Sequence, residues 1–555
     1  MSLKKDLGKF NPRRQQSEAI DFIDQQFKKD PTTKFFLLDM PVGTGKSYLA
    51  LMIADWYKKS KNRMARVDII TNSKILQDQY SSTYESIADL KGKENYECSS
   101  YACSCAQGAE FNRLNKTSCE SCLYSSAREG YISSGVSLTN FYLYILYAMY
   151  NQKLMESRDA RVLIVDEAHD FDDVMSSFIS IKITESVIKR FGFSNENDLI
   201  ARIKSVTTIN DYVDFLVYFN NEVVTTMEQI EKGMFKADRN IVQDKRDLKI
   251  NKVLNGKNSD VKLMQLITDL KQYQMKIELF LTEFKANPNN WVLEPSYNEK
   301  LRQKELSLEP IWAYDYLDKY VFSHYDMVFM MSGTILDKNL FCQLNGLDVT
   351  KAAYHSIESP FPAKNRPIIY MPIGKMSYKN KEETFQRYIP YIKKIMNKYA
   401  GQKGIIHTNS FELSNWIQKG IKDKRFVFHD STNKDEMLRM HCETDKPTVL
   451  VSPSMDTGVS LDDDLARFQI IAKIPYPSLG SQKNKMRQSN NPEWYAWKTV
   501  SGFIQMTGRS VRSSEDYADT IILDGSFGDV LRHSSHFLPN WIQEAIKKVT
   551  IKATI

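Results

Sequence analysis

No stretch of the 555-residue chain supplies the roughly 20 consecutive apolar residues that a membrane-spanning helix needs. The nearest candidate, Phe141–Tyr150, is short and rich in tyrosine. The first residues, Met-Ser-Leu-Lys-Lys-Asp-Leu-Gly-Lys, are basic but have no apolar segment behind them, so a signal peptide is not expected. These two absences lead to the expectation of an intracellular protein, cytoplasmic or nucleoid-associated, with no membrane partner. Cysteine is sparse: there are seven, five of them within Cys98–Cys122, while Cys342 and Cys442 stand alone. In a reducing compartment such a cluster points to a metal site over a disulfide framework. A strong charge of either sign is also missing, since 75 Lys and Arg meet 68 Asp and Glu for a net +7. That balance permits a local basic groove for nucleic acid without demonstrating one. Outside the motifs below there is no carboxylate cluster suited to an attached nuclease.

What is present centres on the nine residues from Asp39 to Ser47, Asp-Met-Pro-Val-Gly-Thr-Gly-Lys-Ser, which follow the apolar run Phe35–Leu38. A buried strand, a glycine turn and a Lys-Ser opening a helix form a phosphate cradle, because glycine lets backbone N–H groups face a ligand and the helix start adds partial positive charge. Gly43, Thr44, Gly45, Lys46 and Ser47 are therefore expected to bind ATP, with Lys46 on the β- and γ-phosphates and Ser47 on Mg²⁺. Met40 occupies the place of the first glycine in GxxxxGK[ST]. Upstream, Phe10-Asn-Pro-Arg-Arg-Gln-Gln leads into an amphipathic helix, and Arg13 and Gln16 either bracket an adenine edge or simply start that helix. Downstream, a helix through about Lys59 and the strand Val67–Thr71 complete a βαβ unit. Thr71 and Ser73 beyond it can touch a nucleic-acid backbone or cap a helix.

The run Arg161-Val-Leu-Ile-Val165 reads as a central parallel strand, and it ends in Asp166-Glu-Ala-His169. Carboxylates at such a strand end suit Mg²⁺ binding by Asp166 and polarisation of the attacking water by Glu167. His169 is placed to meet the next motif. Cys98, Cys103, Cys105, Cys119 and Cys122 lie in a stretch without periodicity, and their spacing is compatible with either Zn²⁺ or a [4Fe–4S] cluster. From about Phe171 to Asn290 long helical patterns dominate, such as Leu263, Leu266, Ile267, Leu270, Tyr273 and Ile277. The Lys/Arg-rich stretch before them (Lys232 to Lys257) reads as a solvated helical face or a nucleic-acid contact. Met327–Met331 ends in Ser332-Gly-Thr334, a switch or an ordinary turn. A second α/β half begins near Ile368, with strands expected at Gly404–His407, Phe426–Phe428, Thr448–Val451, Phe468–Ile471 and Thr520–Leu523. Within it lies Gln505-Met-Thr-Gly-Arg509-Ser-Val-Arg512, whose two arginines are expected on one helix face as fingers to a γ-phosphate.

Met40-Pro-Val-Gly-Thr-Gly-Lys-Ser47, Asn95-Tyr-Glu-Cys98 with the later Cys-Leu-Tyr124, Asp166-Glu-Ala-His169, Ser332-Gly-Thr334, Ser452-Pro-Ser-Met-Asp-Thr-Gly-Val459 and Gln505-x-x-Gly-Arg-x-x-Arg512 occur in one order across nearly the whole chain. Together they resemble the superfamily 2 DNA helicases with an iron–sulfur domain, the XPD and DinG group. The resemblance implies an α/β fold of two RecA-like motor domains carrying an iron–sulfur insertion and a helical arch. The expected division is motor domain 1 in residues 1–90, 131–175 and 296–362, the cluster domain in 91–130, the arch in 176–295 and motor domain 2 in 363–555. It further implies a [4Fe–4S] cluster instead of zinc, a nucleotide site that includes Arg13, Gln16, His169 and Gln505, and 5′-to-3′ movement on single-stranded and forked DNA in repair, replication or recombination. The expected form is a monomer that meets replication or repair proteins. The competing expectations are a translocase that does not unwind and a zinc-containing remodelling ATPase. Three departures stand out: five cysteines where four are needed, Gly333 in place of alanine, and Ser460 where relatives carry aspartate. Cys98, Cys119 and Cys122 match best, and Cys103 competes with Cys105.

Overall fold

The computed structural model describes residues 3–4, 10–61, 65–84, 87–119, 121–237, 259–298, 303–454 and 461–549. Ser460 and the rest of 455–460, and the basic residues Arg239, Lys245, Arg246, Lys249, Lys252 and Lys257, lie outside the described residues.

In chain order the strands are β1 (Phe35–Asp39), β2 (Val67–Thr71), β3 (Ala88–Asp89), β4 (Val136–Asn140), β5 (Val162–Asp166), β6 (Ile181–Ile183), β7 (Trp291–Asn298), β8 (Gln303–Pro310), β9 (Met327–Ser332), β10 (Ala352–Ser356), β11 (Ile368–Gly374), β12 (Gly404–His407), β13 (Phe426–Phe428), β14 (Val449–Ser452), β15 (Phe468–Ile471), β16 (Asp519–Asp524) and β17 (Ile546–Lys548). Two seven-stranded sheets result, β10-β1-β9-β5-β2-β4-β3 and β13-β14-β12-β15-β16-β11-β17. Every pairing within them is parallel. This is the two-part α/β architecture expected of paired RecA-like domains.

Strands β1, β2 and β5 are buried at every residue. Phe36 and Leu38 pack into one apolar cluster with the helix Lys46–Lys61, while Phe35 and Leu37 pack into another on the opposite face. Coverage on both faces is why β1 and β5 read as nearly unbroken apolar runs, while β2 carries one buried charge, Asp68, paired with Arg158 at 2.8 Å. Because parallel strands all finish at one edge, the segments after β1, β5 and β9 converge there. Strand β9 lies between β1 and β5, with Ser332 in register with Asp39 and Met331 with Asp166.

Two excursions leave the first sheet. The cysteine segment departs between β3 and β4 and forms the helices Cys105–Asn115 and Leu123–Ser133. The second, between β5 and β9, holds the helices Ile209–Ala237 and Ser259–Ala286, which pack together, and the antiparallel sheet β6-β8-β7. The excursions touch: Gln107 Nε2 donates to Gln265 Oε1 at 2.8 Å, Glu110 pairs with Lys271 at 2.7 Å, and Arg113 pairs with Glu231 at 2.7 Å. Among the described residues no helix is long and apolar enough to cross a membrane.

Candidate active site

After β1 the chain turns through Gly43 and Gly45, both in the positive-φ region at +81° and +82°. Side chains rarely adopt that conformation, and each site is also crowded: a Cβ on Gly43 would stand 2.3 Å from the Phe361 ring, and one on Gly45 2.3 Å from Gln16 Nε2. Thr44 Oγ1 donates to the Pro41 carbonyl at 2.7 Å and tightens the turn. Gln16 is buried, donates from Nε2 to the Gly45 carbonyl at 3.0 Å, and accepts from the Arg13 N–H at 2.7 Å. The helix start after Arg13 thus braces the loop directly.

Lys46 opens the following helix and points back at the strand ends. Its ammonium lies 3.4 Å from Glu167 Oε1 and 3.4 Å from the Met40 carbonyl. Ser47 Oγ donates to Asp166 Oδ2 at 3.3 Å, and the Tyr80 hydroxyl donates to that same oxygen at 2.8 Å. Asp166 Oδ1 accepts from the Glu167 N–H at 3.0 Å. Burial, reinforced by the neighbouring Glu167 charge, pushes the Asp166 carboxyl above its ordinary value. For Glu167 burial works the same way, but Lys46 and His169, with Arg512 beyond, hold its carboxyl below the ordinary value. Glu167 sits at φ +56°, a left-handed conformation uncommon for a residue with a side chain and one that clusters at functional sites. A carboxylate and a hydroxyl side by side at a phosphate loop are hard oxygen donors of the kind Mg²⁺ takes.

A chain of polar contacts leads away from Glu167. His169 Nδ1 is 3.5 Å from Glu167 Oε2 and 2.9 Å from Ser332 Oγ. Ser332 Oγ is 3.3 Å from Thr334 Oγ1, which accepts from Gln505 Nε2 at 3.2 Å. Ser332-Gly-Thr334 is therefore bonded to the Asp-Glu-Ala-His segment on one side and to the second sheet's helix Pro492–Thr507 on the other. That helix ends sooner than its sequence suggests. Gly508 caps it, donating to the Ile504 carbonyl at 3.0 Å, so Arg509 and Arg512 lie on a turn and an extended segment and not on one helix face. The chain there runs close to the phosphate loop: a Cβ on Gly508 would stand 3.4 Å from Val42, and the Arg512 carbonyl lies 3.3 Å from the Cβ position of Gly43. Arg512 is within electrostatic reach of Asp462 and then of Glu167, whose charges oppose the burial that pushes its guanidinium below the ordinary value, whereas Arg509 is buried with its charge felt by His407 at the end of β12.

Ser73 caps the helix Lys74–Thr83, accepting from Leu76 N–H at 3.3 Å, while Thr71 is fully buried and unavailable to a nucleic acid. Nothing in the sequence marks Tyr80 in that helix as a partner of Asp166. Asp39, at the end of β1, is likewise a structural surprise: it accepts from Leu336 N–H at 3.0 Å and from the Tyr354 hydroxyl at 3.1 Å, and burial pushes its carboxyl up to about 6.

The five clustered cysteines share one lobe and stand mainly as two close pairs, Cys98 with Cys119 at 4.0 Å and Cys105 with Cys122 at 3.6 Å. Among the described residues no group of three or more metal-ligating side chains is assembled. The donor set nonetheless fits a thiolate site in kind. Asn112 Nδ2 donates to Cys119 Sγ at 2.8 Å and the Ser125 N–H to Cys122 Sγ at 3.4 Å, the hydrogen bonds to sulfur that tune such sites. Cys103 adjoins Cys98 and Cys105 adjoins Cys122, so neither is set apart from the lobe.

Residues 392–545 match a family model described as a helicase C-terminal domain, and residues 9–194 match one described as the res subunit of type III restriction enzymes. A probable ATP-dependent helicase of Methanocaldococcus jannaschii is 21% identical, with 91% of each chain aligned. The ATP-dependent DNA helicase CHL1 of Vanderwaltozyma polyspora is 21% identical over 77% of this chain, which spans 58% of that protein. Among solved structures, an XPD helicase superimposes with a TM-score of 0.64 at 13% identity, covering 97% of this chain and 100% of that one. The Xpd4 protein of S. tokodaii does so with a TM-score of 0.59 at 12% identity, again covering 97% and 100%. At these identities the superpositions establish the fold.

Proposed function

The chain belongs to the XPD/DinG/CHL1-like superfamily 2 helicases, and from that premise we propose that this ATP-dependent helicase moves 5′ to 3′ on single-stranded DNA and unwinds forked duplexes. The observation that carries the reading is the convergence on one strand edge of Lys46, Ser47, Asp166 and Glu167, with the charge of Arg512, from the second α/β half, felt by Glu167. Mg²⁺, when bound, neutralises charge on the β- and γ-phosphates, and Ser47 and Asp166 would hold it.

Glu167, kept ionised by Lys46, orients the attacking water and draws on its proton. Lys46 and Arg512 stabilise the charge that spreads over the transferred phosphoryl oxygens. Arg512 belongs to the second motor domain, so occupancy of the site favours cleft closure and hydrolysis releases it. The His169–Ser332–Thr334–Gln505 contacts carry that change to the other sheet. Alternating grip on the phosphate backbone then yields stepping, with bases stacked on aromatic groups. Cys98, Cys119 and Cys122, with Cys103 or Cys105, would hold a [4Fe–4S] cluster in a structural role, at a wedge formed with the helical arch. In this reading the protein works as a monomer in DNA repair, replication or recombination.

The test uses the purified full chain on forked duplexes with a 5′ or a 3′ single-stranded tail. The expected result is a brown preparation that displaces only the 5′-tailed strand, with Lys46→Ala abolishing DNA-stimulated hydrolysis. Undiminished hydrolysis by Lys46→Ala rejects the ATP site, and preference for the 3′ tail rejects the polarity. A colourless protein with stoichiometric zinc rejects the cluster, and movement without displacement leaves a translocase.

A further inference from the structure

Tyr80 lies outside every motif used above, yet its hydroxyl reaches the centre of the site. It is 1% exposed and donates at 2.8 Å to Asp166 Oδ2, the same oxygen that accepts from Ser47 at 3.3 Å. The other Asp166 oxygen is held by the Glu167 N–H. Tyr80 therefore fixes the rotation of the carboxylate that, on the reading of the ATP site just given, ligates Mg²⁺. Donation to the ionised carboxylate also favours its charged form, opposing the burial that pushes this group toward neutrality.

The helix that carries Tyr80, Lys74–Thr83, is tied to the Asp-Glu-Ala-His segment at its other end as well. Asn72, just before the helix, donates from Nδ2 to Asp170 Oδ2 at 2.7 Å. At the start of this helix Ser73 is half-buried and Lys74 exposed. A displacement of the helix would thus move Tyr80 relative to Asp166. We propose that Tyr80 is a positioning residue for the Mg²⁺-binding Asp166, joining the orientation of the metal-ligating carboxylate to the helix that follows β2. Partners of this kind, one bond removed from the metal, orient the ligand and typically contribute about 10- to 100-fold in metal affinity.

The proposal rests on the ATP-site reading and can fail separately from it. Equilibrium titration of the full chain with a fluorescent non-hydrolysable ATP analogue at rising Mg²⁺ gives the half-saturating Mg²⁺ concentration without any turnover. Tyr80→Phe, which keeps the ring and removes the hydroxyl, is expected to raise that concentration about tenfold and to leave metal-free analogue binding unchanged. Tyr80→Leu, apolar and without a hydroxyl, is expected to show the same shift. Tyr131→Phe serves as the control, because the Tyr131 hydroxyl is buried with no hydrogen-bond partner among the described residues, and it is expected to shift nothing. A Tyr80→Phe protein with unaltered Mg²⁺ dependence overturns the proposal, as does an equal shift in Tyr131→Phe. If the unsubstituted protein itself binds the analogue with no response to Mg²⁺, the ATP-site reading falls first.

Discussion

His169 Nδ1 lies 2.9 Å from the Ser332 hydroxyl, a contact between strand ends 163 residues apart in sequence. Both side chains are buried. The order β1-β9-β5 brings them together, since it inserts the end of β9 between the phosphate loop and the Asp166–His169 segment. One neighbour of this pair is Glu167, and the other is Thr334, which meets Gln505 on the helix Pro492–Thr507.

Ser332→Ala removes the central member of this chain and leaves Lys46, Ser47, Asp166 and Glu167 unchanged. A buried hydrogen bond of this kind contributes about 0.5–1.5 kcal/mol, or about 2- to 13-fold in an equilibrium. The expected outcome is ATP hydrolysis little changed and strand displacement lowered by more, up to about tenfold. Parallel measurement of hydrolysis and displacement on one forked substrate checks it. Equal losses in both would assign Ser332 to the chemistry and not to coupling.

A second joint between the halves is ionic. Arg487, 2% exposed, lies 3.2 Å from Asp172 and 3.6 Å from Asp173, on the helix that follows His169, and donates to the Ile311 carbonyl. Its guanidinium also stands over Trp312 at 5.0 Å and Trp494 at 5.4 Å. Lys498 pairs with Asp173 at 2.6 Å. Removing one partner of a fully buried pair costs about 3–5 kcal/mol, and the cost here is smaller because Asp173 keeps Lys498 and is 45% exposed. Arg487→Met is therefore expected to lower the first melting transition in calorimetry, and adding Asp172→Asn to recover part of the loss. Strict additivity of the two substitutions would show that the pair is not coupled.

The sheets were legible because their strands are short, mainly apolar and β-branched or aromatic runs: Val67–Thr71, Phe426–Phe428 and Phe468–Ile471 are strands with the limits read from sequence alone. The phosphate loop and Asp166-Glu-Ala-His169 were legible for a related reason, as each follows such a run and carries its chemistry locally. Contacts set by tertiary packing were not. Gln505 to Arg512 looks helical by spacing, but the helix ends at Thr507 with Gly508 as its cap, beside Val42 and Gly43 of the phosphate loop. Tyr80 reads as one more aromatic on an amphipathic helix until β2 and β5 are seen side by side. The pairing of Cys98 with Cys119 and of Cys105 with Cys122 depends on how the helix Cys105–Asn115 folds back, which spacing does not encode.

His407, at the end of β12, links the second sheet to pH. Burial, reinforced by the Arg509 charge and only partly opposed by Gln469 at 3.3 Å, pushes its imidazole down to about 3. An unfolded chain takes up that proton near pH 6.5. Between these values the unfolded state binds more protons than the folded one, so His407 makes stability rise with pH across this window. Its contribution is complete above about pH 6.5 and is lost progressively as pH falls toward about 3. The neutral ring also spares Arg509 a second cation in a buried setting. His407→Gln keeps a partner for Gln469 and removes the titration, so its melting temperature is expected to fall less steeply between pH 6.5 and pH 4 than that of the unsubstituted protein. Melting curves of both proteins across that range check the prediction, and parallel slopes would show that the acid sensitivity arises elsewhere.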